Sequence, residues 1–495
     1  MSQQNRRQFL GRSIAAGVGA GFAIAGTKSS GRILGANDAV RVGVAGLNGR
    51  GSAHVDEFTR LKGVEIVYLI DPDTRTHDRH IKTIKARGGS TPKTIRDVRQ
   101  ALDDPNLDAI SIAAPNHWHS LMTIWGVQAG KDVYVEKPVS HNIHEGRIAV
   151  EAARKHNRIV QHGTQGRSLK HWYDLAAIAK EGQYGKLLVS RALCYKSRPS
   201  IGYKPNTEAP AELDYNLWLG PAPKQPFNGN YVHYNWHWFW DFGNGDIGNQ
   251  GVHQMDVARW LIPDATLPKT VLSLGGRFGY EDQGQTPNSQ ISVMDFDGTH
   301  LIFEVRGLKT EKYMNETVGN IAHFEAGVVV PGGRGGLRFY PKAKGPKLEG
   351  PGEAAVAPKN ARERGPGGDH FGNFIAAVRS RKTSDLNADV LEGHYSAALC
   401  HLANISYRLG EQVPFNTKTK AFGDDKDAYE TLARMEEHLS SNGVKLDGLS
   451  YRLGRKLTVD AKNEAFVNDA DANKLLTREY RKPFVVPDKI TLTQG

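Results

Sequence analysis

Residues 40–51 have the sequence VRVGVAGLNGRG, a short apolar run followed at once by a glycine-rich turn. The run Val40–Ala45 is typical of a buried strand, and the residues after the turn have a helical pattern. Gly46, Asn48 and Gly51 occupy the three positions of a GxGxxG turn, which lets a phosphate group approach the N-terminus of a helix. The stretch therefore predicts the strand–turn–helix unit that begins a dinucleotide-binding domain.

The turn departs from the three-glycine pattern at its middle position, where Asn48 replaces glycine. Asparagine tolerates left-handed backbone conformations better than most residues do, and the neighbouring glycine adds flexibility. We therefore expect the whole turn to hold a pyrophosphate through Gly46, Asn48, Gly49, Arg50 and Gly51.

Strand-like and helical patterns alternate through the rest of the first third of the chain. Apolar runs favour strands at 64–70, 107–114, 132–135 and 159–162, and amphipathic patterns favour helices at 52–60, 74–86, 121–129 and 143–156. Alternation of this kind indicates a parallel, doubly wound sheet with helices on both faces. We therefore predict an α/β protein in which residues 37–165 form a Rossmann-type domain.

An acid stands at the end of the second predicted strand. Asp71 follows the glycine-rich turn by about 20 residues, the spacing at which a carboxylate binds the ribose 2′-hydroxyl of a dinucleotide. A carboxylate there repels a 2′-phosphate, so the sequence favours NAD over NADP. Arg75 lies close by in sequence and leaves NADP open as the less favoured cofactor.

Polar residues follow two further strands, in the stretches PNHWH (115–119) and YVEKPVS (134–140). Pro138 fixes its own φ and restricts the residue before it, so Lys137 is held more rigidly than a surface loop requires. Ligands bind outside the carboxyl ends of the strands in such sheets. We therefore expect the nicotinamide end of the cofactor to face Pro115, Asn116, His119, Glu136 and Lys137.

The order GLNGRG, LID, APNHWH and VEKPVS resembles the glucose-fructose oxidoreductase, inositol dehydrogenase and MocA family over residues 40–165. The resemblance implies that Lys137 contacts both cofactor and substrate and assists proton transfer. It also implies that His253, which matches the histidine of the family's Asp-x-x-x-His pattern, is the acid/base for the substrate hydroxyl. Asn249 stands where that pattern has aspartate; it can orient a hydroxyl but cannot take a proton, and Asp246 could compensate.

The pattern changes after His162. A helix is predicted at 169–181, and strands at 186–195, 270–278, 290–296, 300–305 and 323–330. Short turns between such runs indicate a mostly antiparallel sheet. We expect residues 166–410 to form a substrate-binding α+β domain with a large open sheet, an exposed loop at 341–368 and a long helix at 391–409. Residues 411–495 are expected to be a C-terminal extension that packs on this domain.

The segment 231–261 is rich in aromatic residues. Alternating aromatics usually belong to a core, but one aromatic face could stack on the apolar side of a sugar ring. We expect substrate contacts from Arg167, Tyr234, His237, Trp240 and Asp246.

Composition excludes several classes of protein. The net charge is +11, but the basic residues are scattered and form no stripe with interleaved aromatics, so a nucleic-acid partner is not expected. An apolar run long enough to span a bilayer is missing from the sequence. The 19 histidines form neither an HExxH nor a Cys/His pattern, so we expect no catalytic metal. Cys194 and Cys400 could form one disulfide, which the sequence leaves open.

The N-terminal stretch NRRQFLGRSIAAGVGAGFAIAG pairs Arg6 and Arg7 ahead of a weakly apolar, Gly/Ala-rich run. It resembles a twin-arginine export signal; the alternative is a disordered basic tail. We expect residues 1–36 to be this signal and the mature protein to be periplasmic or otherwise exported. Because the segment holds five basic residues and no acid, its removal would lower the net charge from +11 to +6.

These features predict an exported, NAD-dependent oxidoreductase that acts on a sugar, polyol or glycoside. Free NAD is scarce outside the cell, so a redox-neutral, glycoside-cleaving enzyme with tightly bound NAD is the first alternative. A non-catalytic sugar-binding protein that retains NAD is the second. The expected partners are a small carbohydrate and further copies of the same chain, without stable membrane insertion.

Overall fold

The computed structural model of the protein describes residues 38–491, except 333–335, 343–347, 349, 351 and 360–368. The predicted export signal at 1–36 and much of the predicted loop at 341–368 lie outside the described residues. In the part that is described, we find no helix whose length and apolarity would let it cross a bilayer.

The first sheet has six strands in the order β3-β2-β1-β4-β5-β6, and each neighbouring pair is parallel. The strands are β1 (Val40–Ala45), β2 (Val64–Ile70), β3 (Lys93–Ile95), β4 (Ala109–Ile112), β5 (Asp132–Val135) and β6 (Val160–His162). The strand order reverses between β1 and β4, which is where such sheets bind ligands. The predicted doubly wound Rossmann sheet is therefore confirmed.

Five helices belong to this part of the chain: α1 (Arg50–Arg60), α2 (His77–Ala86), α3 (Val98–Leu102), α4 (Asn116–Gln128) and α5 (Ile143–Lys155). Two short elements, β3 and α3, were not predicted, because neither is long enough to show a period. Helix α4 begins at Asn116 rather than 121, since Pro115 is its extended N-cap residue. PNHWH is thus the first turn of a helix and not a loop.

The second sheet runs β16-β15-β14-β13-β7-β12-β11-β10-β18-β17. Strands β8 and β9 form a separate hairpin, and β19 pairs with β10 and β20 off the main path. In chain order, the strands after the first sheet are β7 (Leu187–Tyr195), β8 (Asn206–Thr207), β9 (Phe227–Asn228), β10 (Thr270–Gly276), β11 (Ser289–Phe296), β12 (Thr299–Arg306), β13 (Val318–Phe324), β14 (Gly327–Pro331), β15 (Leu337–Pro341), β16 (Glu353–Ala354), β17 (Glu411–Pro414), β18 (Ser450–Leu453), β19 (Leu457–Asp460) and β20 (Ala465–Phe466). Strands β7 and β12 pair in parallel and the other described pairs are antiparallel, which confirms the predicted mostly antiparallel sheet.

The single strand predicted at 323–330 is wrong. The chain turns at Glu325 and Ala326, so β13 and β14 form a hairpin. Apolar residues stand on both sides of this turn, and the sequence therefore resembles one continuous run.

The remaining helices are α6 (Lys170–Glu181), α7 (Tyr215–Leu219), α8 (Gly245–Asn249), α9 (Gly251–Trp260), α10 (His370–Ser380), α11 (Val390–Arg408), α12 (Lys426–Ser441) and α13 (Ala470–Lys474). Helices α6, α9 and α11 cover one face of the second sheet, where Ile178, Met255 and Leu399 join Phe303 in one core. Helix α11 also packs on α5, so it connects the two sheets.

Helix α10 lies far along the chain but belongs to the core of the first sheet. Its Phe371 stacks on Tyr134 with ring centroids 4.7 Å apart, and Phe374 packs edge-on against Phe58. The chain thus returns to the first sheet after building the second, which a division of the sequence at residue 165 does not describe.

Residues 411–491 are an integral part of the fold. Strands β17 and β18 extend the second sheet, and α12 covers its outer face, where Leu432 and Met435 meet Leu272 and Leu274. Residues 484–490 return to the first domain, where Phe484 is buried in its core. The prediction that the extension packs on the second domain therefore describes only part of it, since Phe484 packs in the first domain.

A buried charged cluster joins α12 to the sheet. Glu304 on β12 accepts hydrogen bonds from Arg434 (2.9 Å), Arg306 (3.0 Å) and Tyr195 (2.7 Å). Burial opposes ionisation of Glu304, but the guanidinium groups of Arg434, Arg306 and Arg191 outweigh it and lower its pKa to about 2. The carboxylate therefore stays charged and holds the helix against the sheet.

Replacing this carboxylate should destabilise the fold. Glu304→Gln leaves buried guanidinium groups uncompensated, which typically costs about 3–5 kcal/mol at neutral pH. Because the folded pKa lies below the unfolded value, this contribution is present above about pH 4.5 and is lost as the pH falls toward 2. Urea unfolding at several pH values should show the gap to the native protein shrink in acid.

Glu57→Gln, which removes an exposed partner of Arg60, is the control and should change stability by less than about 1 kcal/mol. Equal stability of Glu304→Gln and the native protein at neutral pH would contradict this role of the cluster.

Candidate active site

A cavity of about 360 Å³ lies at the carboxyl ends of the first sheet's strands, between that sheet and residues 217–253. Of the predicted residues, the first domain contributes Gly46, Asn48, Gly49, Arg50, Asp71, Pro115, Asn116, His119, Glu136 and Lys137. The second domain contributes Tyr234, His237, Asn249 and His253. Residues that lie far apart in the sequence are thus brought to one cavity.

The glycine-rich turn has room for an anion. A Cβ at Gly51 would lie 1.8 Å from the Gly46 carbonyl oxygen, so the turn cannot close with any larger residue there. Helix α1 begins at Arg50, and neither a capping side chain nor an acid occupies its first turn. The positive end of its dipole is therefore available, and the turn fits a pyrophosphate.

The positive φ angles of the turn fall on glycines. Gly46 has φ +82° and Gly49 has φ +47°, whereas Asn48 is not among the residues with positive φ. Asn48 instead uses its side-chain oxygen to accept a hydrogen bond from Arg79 at 3.0 Å. Asparagine is tolerated at the middle position because the glycine beside it carries the unusual backbone angle.

Asp71 connects the turn to the end of β2. Its two oxygens accept the backbone N–H groups of Leu47 (2.8 Å) and Asp73 (2.9 Å). Burial raises the pKa of Asp71, and these two donors act in the opposite direction. Arg75 makes a two-pronged ion pair with Asp73, so its guanidinium is already engaged.

Glu136 is the central acceptor beneath the cavity. Its Oε1 accepts hydrogen bonds from Arg50 (2.7 Å) and Gln165 (3.2 Å) and lies 3.1 Å from His54 Nε2, while Oε2 accepts the Lys137 backbone N–H (3.2 Å). Burial opposes its ionisation, but the hydrogen bond to His54 and the charge of Arg50 hold its pKa well below the usual range. Its oxygens therefore tie the start of α1 to the end of β5.

Lys137 crosses the cavity to the second domain. Its Nζ donates to the backbone oxygen of Asn249 at 2.6 Å. Burial lowers the pKa of Lys137, and the neighbouring Glu136 acts in the opposite direction. The ammonium is thus held in place by a neutral carbonyl, and among the described residues no carboxylate pairs with it directly.

His119 has a supporting position. Its ring nitrogens lie 2.6 Å from the Pro138 carbonyl oxygen and 2.7 Å from that of Ala114. The ring therefore joins the turn after β4 to the turn that carries Lys137. Asn116, one turn earlier on the same helix, donates to Asn244 of the second domain at 3.0 Å.

The ring of His253 makes no hydrogen bond to the residues that the structure describes, although it lines the cavity. Burial, followed by the charge of Lys137, lowers its pKa to about 3, so the imidazole is neutral at neutral pH. A neutral, unpartnered imidazole beside an ammonium can accept a hydrogen bond from a substrate hydroxyl.

Asn249 and Tyr234 complete this wall. The Asn249 amide nitrogen lies 3.4 Å from the Tyr234 hydroxyl and 3.5 Å from Asp246 Oδ1. Arg198 donates to the Tyr234 hydroxyl at 3.0 Å. Because the phenol oxygen accepts from these two donors, its own proton is free to point into the cavity.

Asp246 lies behind the cavity wall and does not line it. Arg198 holds both of its oxygens at 2.8 Å. Asp246 therefore acts on the site through Asn249 and Arg198, and it does not replace the missing aspartate directly. No motif in the sequence marked Arg198, which follows the end of β7.

Two further predicted substrate residues, Arg167 and Trp240, are also absent from the cavity lining. Arg167 turns toward the core of the second domain, where it is buried in an ion pair with Asp256. The Trp240 ring instead packs under Arg408, whose guanidinium lies 5.3 Å from the ring centroid. Trp236 lines the cavity in its place and stacks on His237, with ring centroids 3.6 Å apart.

The same cavity contains residues that the sequence did not single out. Among them are Leu47, Arg96, Trp118, Gln165, Leu217, Trp218 and His233. Clusters of three or more His, Cys, Asp or Glu side chains suited to a metal ion are not found among the described residues. Cys194 and Cys400 are buried as free thiols and do not pair with each other.

Two family models match the chain. Residues 40–164 match the oxidoreductase family with an NAD-binding Rossmann fold, and residues 200–341 match the C-terminal alpha/beta domain of the same family. Together they cover more than half of the 495 residues.

Curated relatives include a glycosyl hydrolase family 109 protein from Shewanella pealeana, 30% identical over 175 residues. A protein of the same name from Shewanella baltica strain OS195 is also 30% identical over 175 residues. Each match spans 34% of this chain and 38% of the relative's length.

Solved structures share the fold at low identity. The WlbA dehydrogenase from Bordetella pertussis, in complex with NADH and UDP-GlcNAcA, has a TM-score of 0.55 at 17% identity and covers 77% of this chain and 100% of its own. Levoglucosan dehydrogenase in complex with NADH and levoglucosan has a TM-score of 0.52 at 16% identity and covers 74% of this chain and 96% of its own.

Adding a methyl group to the turn should abolish its use as an anion site. In Gly51→Ala the new Cβ would overlap the Gly46 carbonyl, so the turn must open and NADH affinity should fall by more than about tenfold, or 1.4 kcal/mol. Fluorescence titration with NADH measures this. Gly166→Ala, whose Cβ would meet its nearest atom at 3.6 Å, is the matched control. A folded Gly51→Ala protein with native affinity would show that the turn does not hold the cofactor.

Proposed function

Because the chain belongs to the glucose-fructose oxidoreductase, inositol dehydrogenase and MocA family, whose first domain is an NAD-binding Rossmann fold, we propose that it is an NAD-dependent oxidoreductase of a sugar, polyol or glycoside hydroxyl. The observation that carries the proposal is the cavity that joins the uncapped start of α1 to the ammonium of Lys137 and the neutral ring of His253.

Bound NAD supplies the hydride acceptor for a carbon that bears a hydroxyl. The chain's own residues handle the charge and the proton. Lys137 places a positive charge where a substrate hydroxyl gains alkoxide character, and this charge favours the transition state over the ground state. Its position is set by the Asn249 carbonyl, 2.6 Å away.

His253 is the proposed acceptor of the hydroxyl proton. Burial and the charge of Lys137 lower its pKa to about 3, so the ring is neutral and can accept a hydrogen bond from the hydroxyl. The ring is a weak base, and it therefore passes the proton onward and does not retain it. Asn249 and Tyr234 would orient the substrate, since one offers an amide and the other a hydroxyl proton that no described residue accepts. With these roles for His253, Asn249 and Tyr234, the proposed mechanism does not need the aspartate that Asn249 replaces.

Sugar-type substrates are supported by the relatives. The two structural neighbours bind UDP-GlcNAcA and levoglucosan, and the cavity has aromatic surfaces at Trp236 and His237 suited to an apolar sugar face. Purified protein should be screened against sugars, polyols and glycosides for a rise in NADH absorbance. A complete set of these compounds without any turnover would count against the proposal.

A second candidate is a redox-neutral glycoside-cleaving enzyme, and the Shewanella relatives named glycosyl hydrolase family 109 proteins favour it. In such a cycle the electrons taken from the sugar return to it, so NAD is not consumed. The same screen separates the two functions: glycoside cleavage without net NADH supports this candidate, and NADH formation supports the dehydrogenase.

The position of Asp71 supports NAD as the preferred cofactor, since a carboxylate at this end of the cavity repels a 2′-phosphate. Asp71→Ser should therefore reduce the ratio of NADH to NADPH affinity by about tenfold or more, as judged by paired fluorescence titrations. Asp56→Ser, a charge change on the outer side of α1, should leave the ratio unaltered. A native ratio in Asp71→Ser would remove the basis for NAD preference.

Removing the Lys137 ammonium should impair turnover more than cofactor binding. Lys137→Ala should lower turnover on any accepted substrate by roughly 10²–10³, about 3–4 kcal/mol, because the developing alkoxide loses its cation. NADH affinity should fall less, since the turn at Gly46–Gly51 remains. Lys137→Arg should also be impaired, because a planar guanidinium does not fit the place of a compact ammonium.

Lys85→Ala, on the exposed side of α2, is the control and should behave as the native protein. Near-native turnover of a folded Lys137→Ala protein would mean that the lysine is only a loop residue, and the mechanism would have to be abandoned.

A further inference from the structure

The last segment of the chain lies outside both family matches, the second of which ends at residue 341. Residues 476–490, termed the clasp here, run between the first domain and residues 212–242, termed the pocket loop. The contacts of the clasp bear on the cavity, because the pocket loop forms one of its walls.

The pocket loop faces the glycine-rich turn across the cavity. Its lining residues are Leu217, Trp218, His233, Tyr234, Trp236 and His237. Just after the C-terminal end of β2, His233 Nε2 lies 2.7 Å from Asp73, and the Asp214 N–H donates to the Pro72 carbonyl at 2.9 Å. A dinucleotide held by the turn would therefore lie between the pocket loop and the first domain.

Arg481 of the clasp holds the pocket loop from outside. Its Nε donates to the Gly220 carbonyl at 2.9 Å, and its terminal nitrogens donate to the Asn216 side-chain oxygen (2.6 Å) and backbone oxygen (2.7 Å). These acceptors lie on and just after α7, and carbonyl oxygens there favour a cation; the Asn216 backbone oxygen also accepts the Gly220 N–H at 3.2 Å. Arg478 holds the other end of the loop by donating to the Asp241 carbonyl at 2.8 Å.

Other clasp residues anchor it to the first domain. Phe484 is 2% exposed and packs edge-on against Trp118, with ring centroids 5.4 Å apart. Lys155 on α5 donates to the Ile490 carbonyl at 2.6 Å, and the His144 N–H donates to the Leu476 carbonyl at 3.0 Å. The clasp is therefore fixed to the first domain and is hydrogen-bonded to the pocket loop of the second domain.

Trp118 links these two sets of contacts. Its indole N–H lies 3.1 Å from the backbone oxygens of both Leu217 and Trp218 in the pocket loop. The ring itself lines the cavity and is covered by Phe484. Movement of the pocket loop away from the first domain would thus break contacts to Trp118 and to Arg481 together.

We propose that the clasp sets how long the dinucleotide stays bound, by tying the pocket loop to the first domain over the cavity. Arg481 and Phe484 are positioning residues in this proposal and do not touch the cofactor. The proposal rests on the dinucleotide site described above and adds to it a residence time determined by a segment outside the matched family domains. A clasped cofactor suits an enzyme that reuses the same NAD through many turnovers.

The test is the dissociation rate of NADH, which needs no substrate. The full-length protein is loaded with NADH and mixed rapidly with excess NAD, and the fall in NADH fluorescence is followed. Arg481→Gln should release NADH about tenfold faster or more, because three charge-assisted hydrogen bonds to the pocket loop are lost. Phe484→Ala should act in the same direction. Lys482→Gln removes an adjacent, exposed cation and is the matched control, with a native rate expected.

Each other outcome is decisive. Native dissociation rates in folded Arg481→Gln and Phe484→Ala proteins would overturn the clasp, even if their melting temperatures fall, since the segment would then only stabilise the fold. If Arg481→Gln does not fold, Asn216→Ala removes one of the three acceptors on the pocket loop and must accelerate release in the same direction by a smaller factor. Failure of the native protein to bind NADH at all would instead overturn the dinucleotide site, and the clasp with it.

Discussion

The buried carboxylate of Glu136 is the contact on which the cavity depends. It receives Arg50 from the start of α1 and Gln165 from the turn after β6, lies against the ring of His54, and also accepts the N–H of Lys137. A buried charge is tolerated only when it is paired and hydrogen-bonded, and here several donors satisfy it. As a result the glycine-rich turn and the turn bearing Lys137 are held in one rigid arrangement, at the end of the sheet where the strand order reverses.

The second domain completes the site through backbone as much as through side chains. The carbonyl of Asn249 receives the Lys137 ammonium, and the Arg198–Asp246 ion pair behind it holds Asn249 and Tyr234 in place. Such an arrangement explains how the chain can lack a carboxylate at position 249 and still present an ordered set of polar groups. The nearby carboxylate is that of Asp246, which lies behind Asn249 and is paired with Arg198.

The C-terminal part of the chain connects these layers. Helix α12 covers the outer face of the second sheet and is fixed by the Glu304 cluster, while the clasp returns to the first domain. Helix α10 returns to it as well, beside Tyr134. The two domains are thus interleaved by segments that follow both of them in the sequence, which restricts how far they can separate over the cavity.

The sequence by itself determined the first sheet, the mostly antiparallel character of the second, and the residues of the cavity that belong to local motifs. Strand and helix periods, the VRVGVAGLNGRG turn and Lys137 before Pro138 are all set by neighbours a few residues away, so they can be recognised in one chain. Only the tertiary structure decided that Arg167 and Trp240 turn away, that Asp246 lies behind the wall, and that Arg198 and Arg481 matter. These outcomes depend on which buried charges and rings find partners across the fold, and contacts between residues hundreds of positions apart leave no periodic pattern in the sequence.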